Sequence, residues 1–372
     1  MAEFQYSSIF GELTKQVQIR FDAVSELNKK LFDNVLFENY LDWDVPSIGL
    51  NFEEIIGQYN ITVAAPTIGL NSKEAVLGSE GVQTLKETLL NHAITRPMTI
   101  QDYRKVLQLL DSKSLSDKAK TQQLVELMWG NVTSVTQSVL ATLDRIFLEA
   151  LSNEGVATFD ETTNPEGGVR GEISYNQPSG NIYESSTAWT KSNQSTIDCF
   201  QEIQDIITAA EEKVVFSKIL LSPTLLSYIC NSTLIKQMIY GDSSSQRLVT
   251  STILNDYMQQ NGFPIFEPIR RQIRIQNAGS ITTYTPWNTA NLVFIPEGKL
   301  GLVKNAWANS ELREEPGVSY SNYGRIRVSQ WGVGETQGSN GVEFTKAEAF
   351  ALPVITEMEG IYTLKTNLDL TA

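Results

Sequence analysis

Residues capable of acid–base, nucleophilic or metal chemistry are sparse and scattered in this chain of 372 residues. A serine triad or a zinc site sets imidazole beside a nucleophile or beside further ligands. The one histidine, His92, precedes Ala93 and Ile94 and reads as structural. Cys199 and Cys230 follow no metal or redox spacing and read as buried thiols of a reducing compartment. A disulfide between them would need a proximity that spacing does not supply. Carboxylates occur as neighbours: Glu53 with Glu54, Glu211 with Glu212, Glu314 with Glu315. Glycosidase pairs are set by distance in space, so neighbours in sequence read as surface residues. Asp160 and Glu161 fall in a turn-rich loop. The glycine-rich run at 332–341, GVGETQGSNG, lacks the strand-then-helix setting of a phosphate loop. No GxSxG, Walker, CxxC or HExxH pattern occurs. The sequence thus assigns no catalytic, cofactor-binding or metal-ligating residue, and the enzyme classes lose weight accordingly.

Charge narrows the field further. The net charge is −14, with 29 basic against 43 acidic residues. Nucleic-acid binders gain affinity by neutralising phosphates with clustered Lys and Arg. The densest basic cluster here is Arg270, Arg271 and Arg274, followed later by Arg325 and Arg327. Arginines alternating along a strand read as a solvated face. An acidic protein can still enclose nucleic acid without gripping it. Residues 1–10 contain Glu3 and no apolar run, so no signal peptide is expected. The most apolar stretch, 219–229, is interrupted by Ser222, Pro223 and Thr224 and falls far short of a membrane span.

The elements that would position these residues are organised around 114–154. Leu124, Met128, Val132, Val135, Val139, Leu143, Ile146 and Ala150 recur in steps of three and four, the spacing of one helical face. Ser114 or Ser116 can cap the start, Asp117 suits the positive dipole end, and Gly155 can end the helix. About forty helical residues span roughly 60 Å, against roughly 55 Å for a globule of this length. Residues 131–143 carry no charge on any face, which argues against a coiled coil and for packing on more than one side. The expectation is a spine crossing a flat subunit; a long helix in an ordinary helical domain is the alternative.

Residues 1–45 read as an arm. Leu13, Val17, Phe21, Val24, Leu27 and Leu31 form a helical face, and Phe37, Tyr40 and Trp43 follow. It is either a domain's first helix or a segment that packs on a neighbouring subunit. In 48–100, residues 59–63 alternate as a strand, glycines and prolines then break the pattern, and 82–90 fits a strand or a short helix. So long a stretch with few core residues suits an extended hairpin that finds its partners on another chain. A hairpin is expected over 156–175, with Trp189 as an anchor beyond it. An α/β pattern occupies 195–276. Its expected helices start at Thr196, with face Ile197, Phe200, Ile203, Ile207 and Ala210, at Ser222–Pro223 running to Tyr240, and at Leu248. Its expected strands are 214–221, 263–266 and 269–275. The last hundred residues read as strands, including 292–296, 325–331 and 342–368 with a turn near Gly360.

This order of pieces resembles tailed-phage major capsid proteins of the Hong Kong 97 phage fold, most closely the lambda-like branch. The stretches that carry it are ITRPMTIQDYRKVLQLL before the spine, WTKSNQSTIDCFQEIQDI from Trp189, KILLSPTLLSYI, LVFIPEGKLGLVKNA and EFTKAEAFALPVITEMEGIYTLKT. The resemblance implies an α+β fold with an N-terminal arm (1–47), an extended loop (48–100), a peripheral domain with the spine helix (101–190 and 320–372) and an axial α/β domain (191–319). It implies self-assembly as hexamers and pentamers of an icosahedral shell enclosing double-stranded DNA, in a virion built in the host cytoplasm. Scaffolding, portal and decoration proteins are the implied partners, with no membrane, no cofactor and no sequence-specific contact with DNA. The start at Met1 leaves little room for a cleaved scaffold domain, which implies a separate scaffolding protein. Some relatives crosslink a loop lysine to an asparagine; Lys73 and Lys86 lie in that region, with no partner or catalytic acid to match. A same-fold alternative is an encapsulin-type nanocompartment shell protein. A different class is a carbohydrate-active enzyme or lectin, whose cleft Trp189, Trp287 or Trp331 would line.

Overall fold

The computed structural model describes residues 35–56, 83–98, 100–111, 117–166, 169–242, 247–277, 279–332 and 343–371. Its longest helix, Asp117–Ser152, has 36 residues, about 54 Å of rise. Of the predicted face, Val132, Val135, Val139, Leu143, Ile146 and Ala150 are buried. The side chains of Leu124 and Met128, and the capping candidates Ser114 and Ser116, lie outside the described residues. One face is not the whole of the burial, because every residue from 143 to 152 is buried. This end of the helix is core on all sides, whereas the uncharged run at 131–143, expected to pack on more than one side, is half-buried at several positions and exposed at Gln137. The helix stops at Ser152; Glu154 takes the left-handed conformation at φ +57°, and the N–H of Gly155, itself at φ +83°, donates to the Ala150 carbonyl at 2.8 Å, the long bond that closes such a helix end. A separate helix, Ile100–Asp111, precedes the spine; the sequence reading gave that stretch no secondary structure.

Beside the spine lies a six-stranded sheet. Its central strand, Glu343–Ile355, pairs antiparallel with Leu90–Met98, Ile326–Gly332 and Gly301–Ala306. Ser319–Tyr323 extends the sheet beyond Ile326–Gly332. Leu41–Trp43 joins it in parallel with Gly301–Ala306. The alternation at 325–331 predicted a solvated Arg327 and Ser329, and this is corrected: Ile326 through Gln330 are all buried. The strand is interior to the sheet, and the side chains on both of its faces are packed over. Arg327 is tolerated there because Glu314 pairs with it at 2.6 Å, Asn322 accepts from it at 2.8 Å, and its guanidinium sits over the Tyr320 ring.

A second sheet runs in the order Ile182–Glu184, Tyr362–Lys365, Asn291–Pro296, Phe216–Leu221, Ile265–Pro268. Side chains of a strand alternate between faces, and here the alternation couples two cores. Ile219, Leu221, Leu292 and Phe294 pack with the α/β helices, while Leu220, Val293 and Ile295 belong to the core around the spine. The first helix is Cys199–Ala210, capped by Asp198, whose side chain accepts from the Gln201 N–H. The cap at Thr196 is therefore corrected by two residues, and the buried stripe is Cys199, Ile203, Ile206 and Ala210. Ser222 caps and Pro223 opens the next helix as predicted, but it ends at Asn231. Ser232, at ψ 136°, breaks the predicted single helix, and Thr233–Tyr240 follows, closed by Gly241 in the left-handed region. Ser251–Gln260 is capped by Thr250. The hairpin Val156–Phe159 with Gly171–Ser174 forms as expected. Ile273–Asn277 pairs with Ser280–Tyr284, a second strand that the sequence reading left unassigned.

Gly301 sits where the sheet has no room for a side chain. A Cβ there would run into the Val354 carbonyl oxygen and come within 2.8 Å of the Thr356 nitrogen. Gly301→Ala should lower the unfolding free energy by about 1–3 kcal/mol or more through forced backbone movement. Gly180→Ala, with open space around it, should stay within about 0.5 kcal/mol. Urea denaturation of the two variants checks this.

Candidate assembly surfaces

The chemistry-bearing residues are placed apart. His92 lies on the strand Leu90–Met98, its Nε2 donating to the Ala351 carbonyl at 3.0 Å. Burial, with Arg145 adding to it, pushes its pKa down to about 4, so the ring is neutral at pH 7. Cys199 and Cys230 are buried free thiols, and burial pushes both pKa values up. Among the described residues no group of three or more His, Cys, Asp or Glu could hold a metal ion. Trp189 and Trp287 are core residues. Trp189 stacks on Tyr228 and donates to Glu202 at 3.2 Å, and Trp331 stacks on Phe344. They do not line a shared sugar cleft. A cleft does open between Leu36, Pro223, Glu267, Arg271 and Trp287. Two of its charges are matched, Glu267 to Lys218 at 2.7 Å and to the Tyr40 hydroxyl at 2.9 Å, and Arg271 to Asp144, while Arg270 on its lining is exposed.

The densest polar chemistry is instead buried at the end of the spine, at residues the sequence reading did not single out. Asp144 is fully buried. One carboxylate oxygen accepts the backbone N–H groups of Leu36 and Phe37, each at 2.8 Å, and the other lies 2.8 Å from Arg271 Nε. Arg145 and Glu149, one turn apart and both buried, pair at 2.6 Å. Arg145 also donates to the Thr158 carbonyl at 3.0 Å and covers the Phe159 ring. Glu149 accepts from the Tyr284 hydroxyl. Ser152 Oγ accepts the Asn288 N–H at 3.0 Å, and its carbonyl accepts from Asn291 at 2.8 Å. The sequence signal was present: charges sit inside the apolar run LATLDRIFLEAL, where only partnered charges survive burial.

Around this junction the chain holds its outer segments. Residues 35–47 lie on their own chain: Phe37 is buried, Tyr40 stacks on Phe147, and Lys299 pairs with Asp42 at 3.0 Å. The helical face Leu13–Leu31, on which the choice between a first helix and a segment packing on a neighbour turns, falls outside the described residues. Asn51–Ile56 pairs with Gln83–Thr88 and with no other strand among the described residues, so 82–90 begins as strand, not helix. Lys304 anchors the base of this ribbon through Asp44 at 2.6 Å and Glu54 at 2.5 Å. Lys86 stands in register with Glu53; residues 59–63, Lys73 and the glycine-rich loop are outside the described residues. Several surfaces stay uncovered. Ala93 through Pro97 are exposed at five consecutive positions, so both faces of that strand meet solvent. Val45 is 78% and Ile48 76% exposed. Both lie beside exposed Trp307, because Ser47 bridges to Ala306 and accepts the Trp307 N–H.

No family model matches the chain, and no curated protein matches it by sequence. Solved structures do match in fold. One, assigned as a prophage capsid protein of E. coli CFT073, superposes with a TM-score of 0.56 at 12% identity over 94% of this chain and 98% of its own. A phage-related protein of Bordetella bronchiseptica RB50 superposes at 0.53 with 9% identity, over 94% and 97%. The fold is thus the α+β capsid fold that the sequence resemblance implied.

Burial, against the opposing N–H bonds of Phe37 and Leu36 and the Arg271 charge, pushes the Asp144 pKa up to about 6 from an ordinary 3.8. The folded chain then binds this proton more tightly than the unfolded chain. Its stability contribution is full below pH 4 and is lost as pH rises through 6, by about 3 kcal/mol. The difference in unfolding free energy between wild type and Asp144→Asn should shift by that amount between pH 4 and 7, moving against the wild type as pH rises. A parallel dependence in both proteins would show that Asp144 does not titrate in this range.

Proposed function

We propose that this chain is a structural major capsid protein of a tailed phage, which self-assembles as hexamers and pentamers into an icosahedral shell enclosing double-stranded DNA. The observation that carries this is the superposition on a prophage capsid protein along nearly the whole of both chains. The surface physics supports it independently. A two-stranded ribbon is marginal alone in water, and Asn51–Ile56 with Gln83–Thr88 has no further strand beside it among the described residues. Exposed Val45, Ile48 and Trp307 form an apolar area beside its base. Identical copies in closed symmetry would cover such surfaces.

In this reading 1–47 is the arm, 48–100 the extended loop, 101–190 with 320–372 the peripheral domain, and 191–319 the axial domain. The helices Cys199–Ala210 and Pro223–Asn231 would lie near the symmetry axes and the spine would run through the wall. The protein performs no catalysis, and its net charge of −14 keeps enclosed DNA from adhering. Scaffolding, portal and decoration proteins would be its partners in a shell assembled in the host cytoplasm and retained in the virion.

Light scattering and electron microscopy of the purified chain test this. Rings or megadalton shells are expected. A stable monomer of 41.5 kDa at all concentrations would overturn the proposal.

A further inference from the structure

Residues 268–296 hold three arginines, no lysine and no acidic residue, in a chain that otherwise carries all 43 of its carboxylates. Within this stretch the hairpin Ile273–Asn277 with Ser280–Tyr284 stands as a sheet of two strands that pairs with no other among the described residues. Its root is fixed. Ile273 is buried, Tyr284 donates to the buried Glu149, and Arg271 is held by Asp144. Beyond the root it is bare. Ser280, Ile281, Thr282 and Thr283 are exposed in succession, so both faces of the ribbon meet solvent, and Ile281 is 63% exposed. Arg270 and Arg274 are also exposed and make no ion pair among the described residues.

From this geometry we infer that the hairpin docks on an acidic face of a second copy of this chain. The inference rests on the capsid reading and names one contact within it. Opposite charge is what other copies offer, because the remainder of each is strongly acidic. Arg270 and Arg274 supply steering and register, and the open strand edges and Ile281 supply the contact that a marginal ribbon needs. Nucleic acid would answer the two arginines but would leave Ile281 and the strand edges uncovered. A protein surface therefore fits the whole feature better.

The test compares full-length wild type with Arg270→Glu/Arg274→Glu and, separately, Ile281→Asp, by sedimentation velocity at about 0.05 M and 0.5 M salt, where screening differs strongly. Circular dichroism checks that each variant is folded. Both variants should associate at least about tenfold more weakly than wild type at low salt, since each sets acid against acid. Wild-type association should weaken as salt rises. If wild type assembles and both folded variants assemble equally well, the docking contact is wrong while the capsid reading stands. If wild type never assembles, the capsid reading itself fails. If the arginine variant assembles normally but loses retention of a 40-base-pair duplex that wild type binds, the hairpin faces nucleic acid and the inference is overturned. Ile281→Asp lies at an exposed position, so a failure of the arginine variant to fold leaves the second measurement decisive.

Discussion

The structure depends on the complete burial of the last turns of the spine helix. A helix buried on one face can turn its charges to water; one buried all round cannot. Asp144, Arg145, Glu149 and Ser152 therefore need partners from whatever packs around them. Each finds a different one. Asp144 takes the arm and the loop carrying Arg271, Arg145 the strand Val156–Phe159, Glu149 the hairpin ending at Tyr284, and Ser152 the segment entering Asn291–Pro296. The electrostatic requirement of one helix end thereby fixes the relative placement of five chain segments.

The second sheet adds an apolar coupling to this polar one. Its strands Phe216–Leu221 and Asn291–Pro296 are hydrophobic on both faces, one set of side chains serving the α/β helices and the other the spine. The two lobes consequently share a layer and do not meet at a wet interface. Motion between them would have to break packed core and not merely bend a linker. A chain built this way transmits a push on the helices of its α/β lobe directly to the spine.

Much of this was legible in the residues because it follows from periodicity. The spine face from Val132 to Ala150, the Ser222–Pro223 helix start, Gly155 and Gly241 as helix ends, and Trp189 as an anchor all rest on local rules. What escaped were decisions made by tertiary context. Arg327 looks solvated by alternation and is buried because both faces of its strand are packed over. Ser232 breaks a helix that its apolar pattern would have continued. Asp144 and Arg145 read as two charges in an apolar run, and nothing local says which distant backbone will satisfy them. The ribbon of Asn51–Ile56 with Gln83–Thr88 was legible in part, because a stretch poor in core residues suits an extended hairpin.

The central strand Glu343–Ile355 has a consequence for how the molecule is made. It follows all of its partners in sequence, yet Leu90–Met98 has no other strand neighbour among the described residues, and Gly301–Ala306 and Ile326–Gly332 both pair along its other edge. A nascent polypeptide still tethered to the ribosome therefore carries the first of these segments unpaired until Glu343–Ile355 has been made. The parallel pairing of Leu41 with Gly301 delays the arm in the same way. The sheet around Glu343–Ile355 can therefore close only once that strand is free to pair, long after the segments it joins have been made.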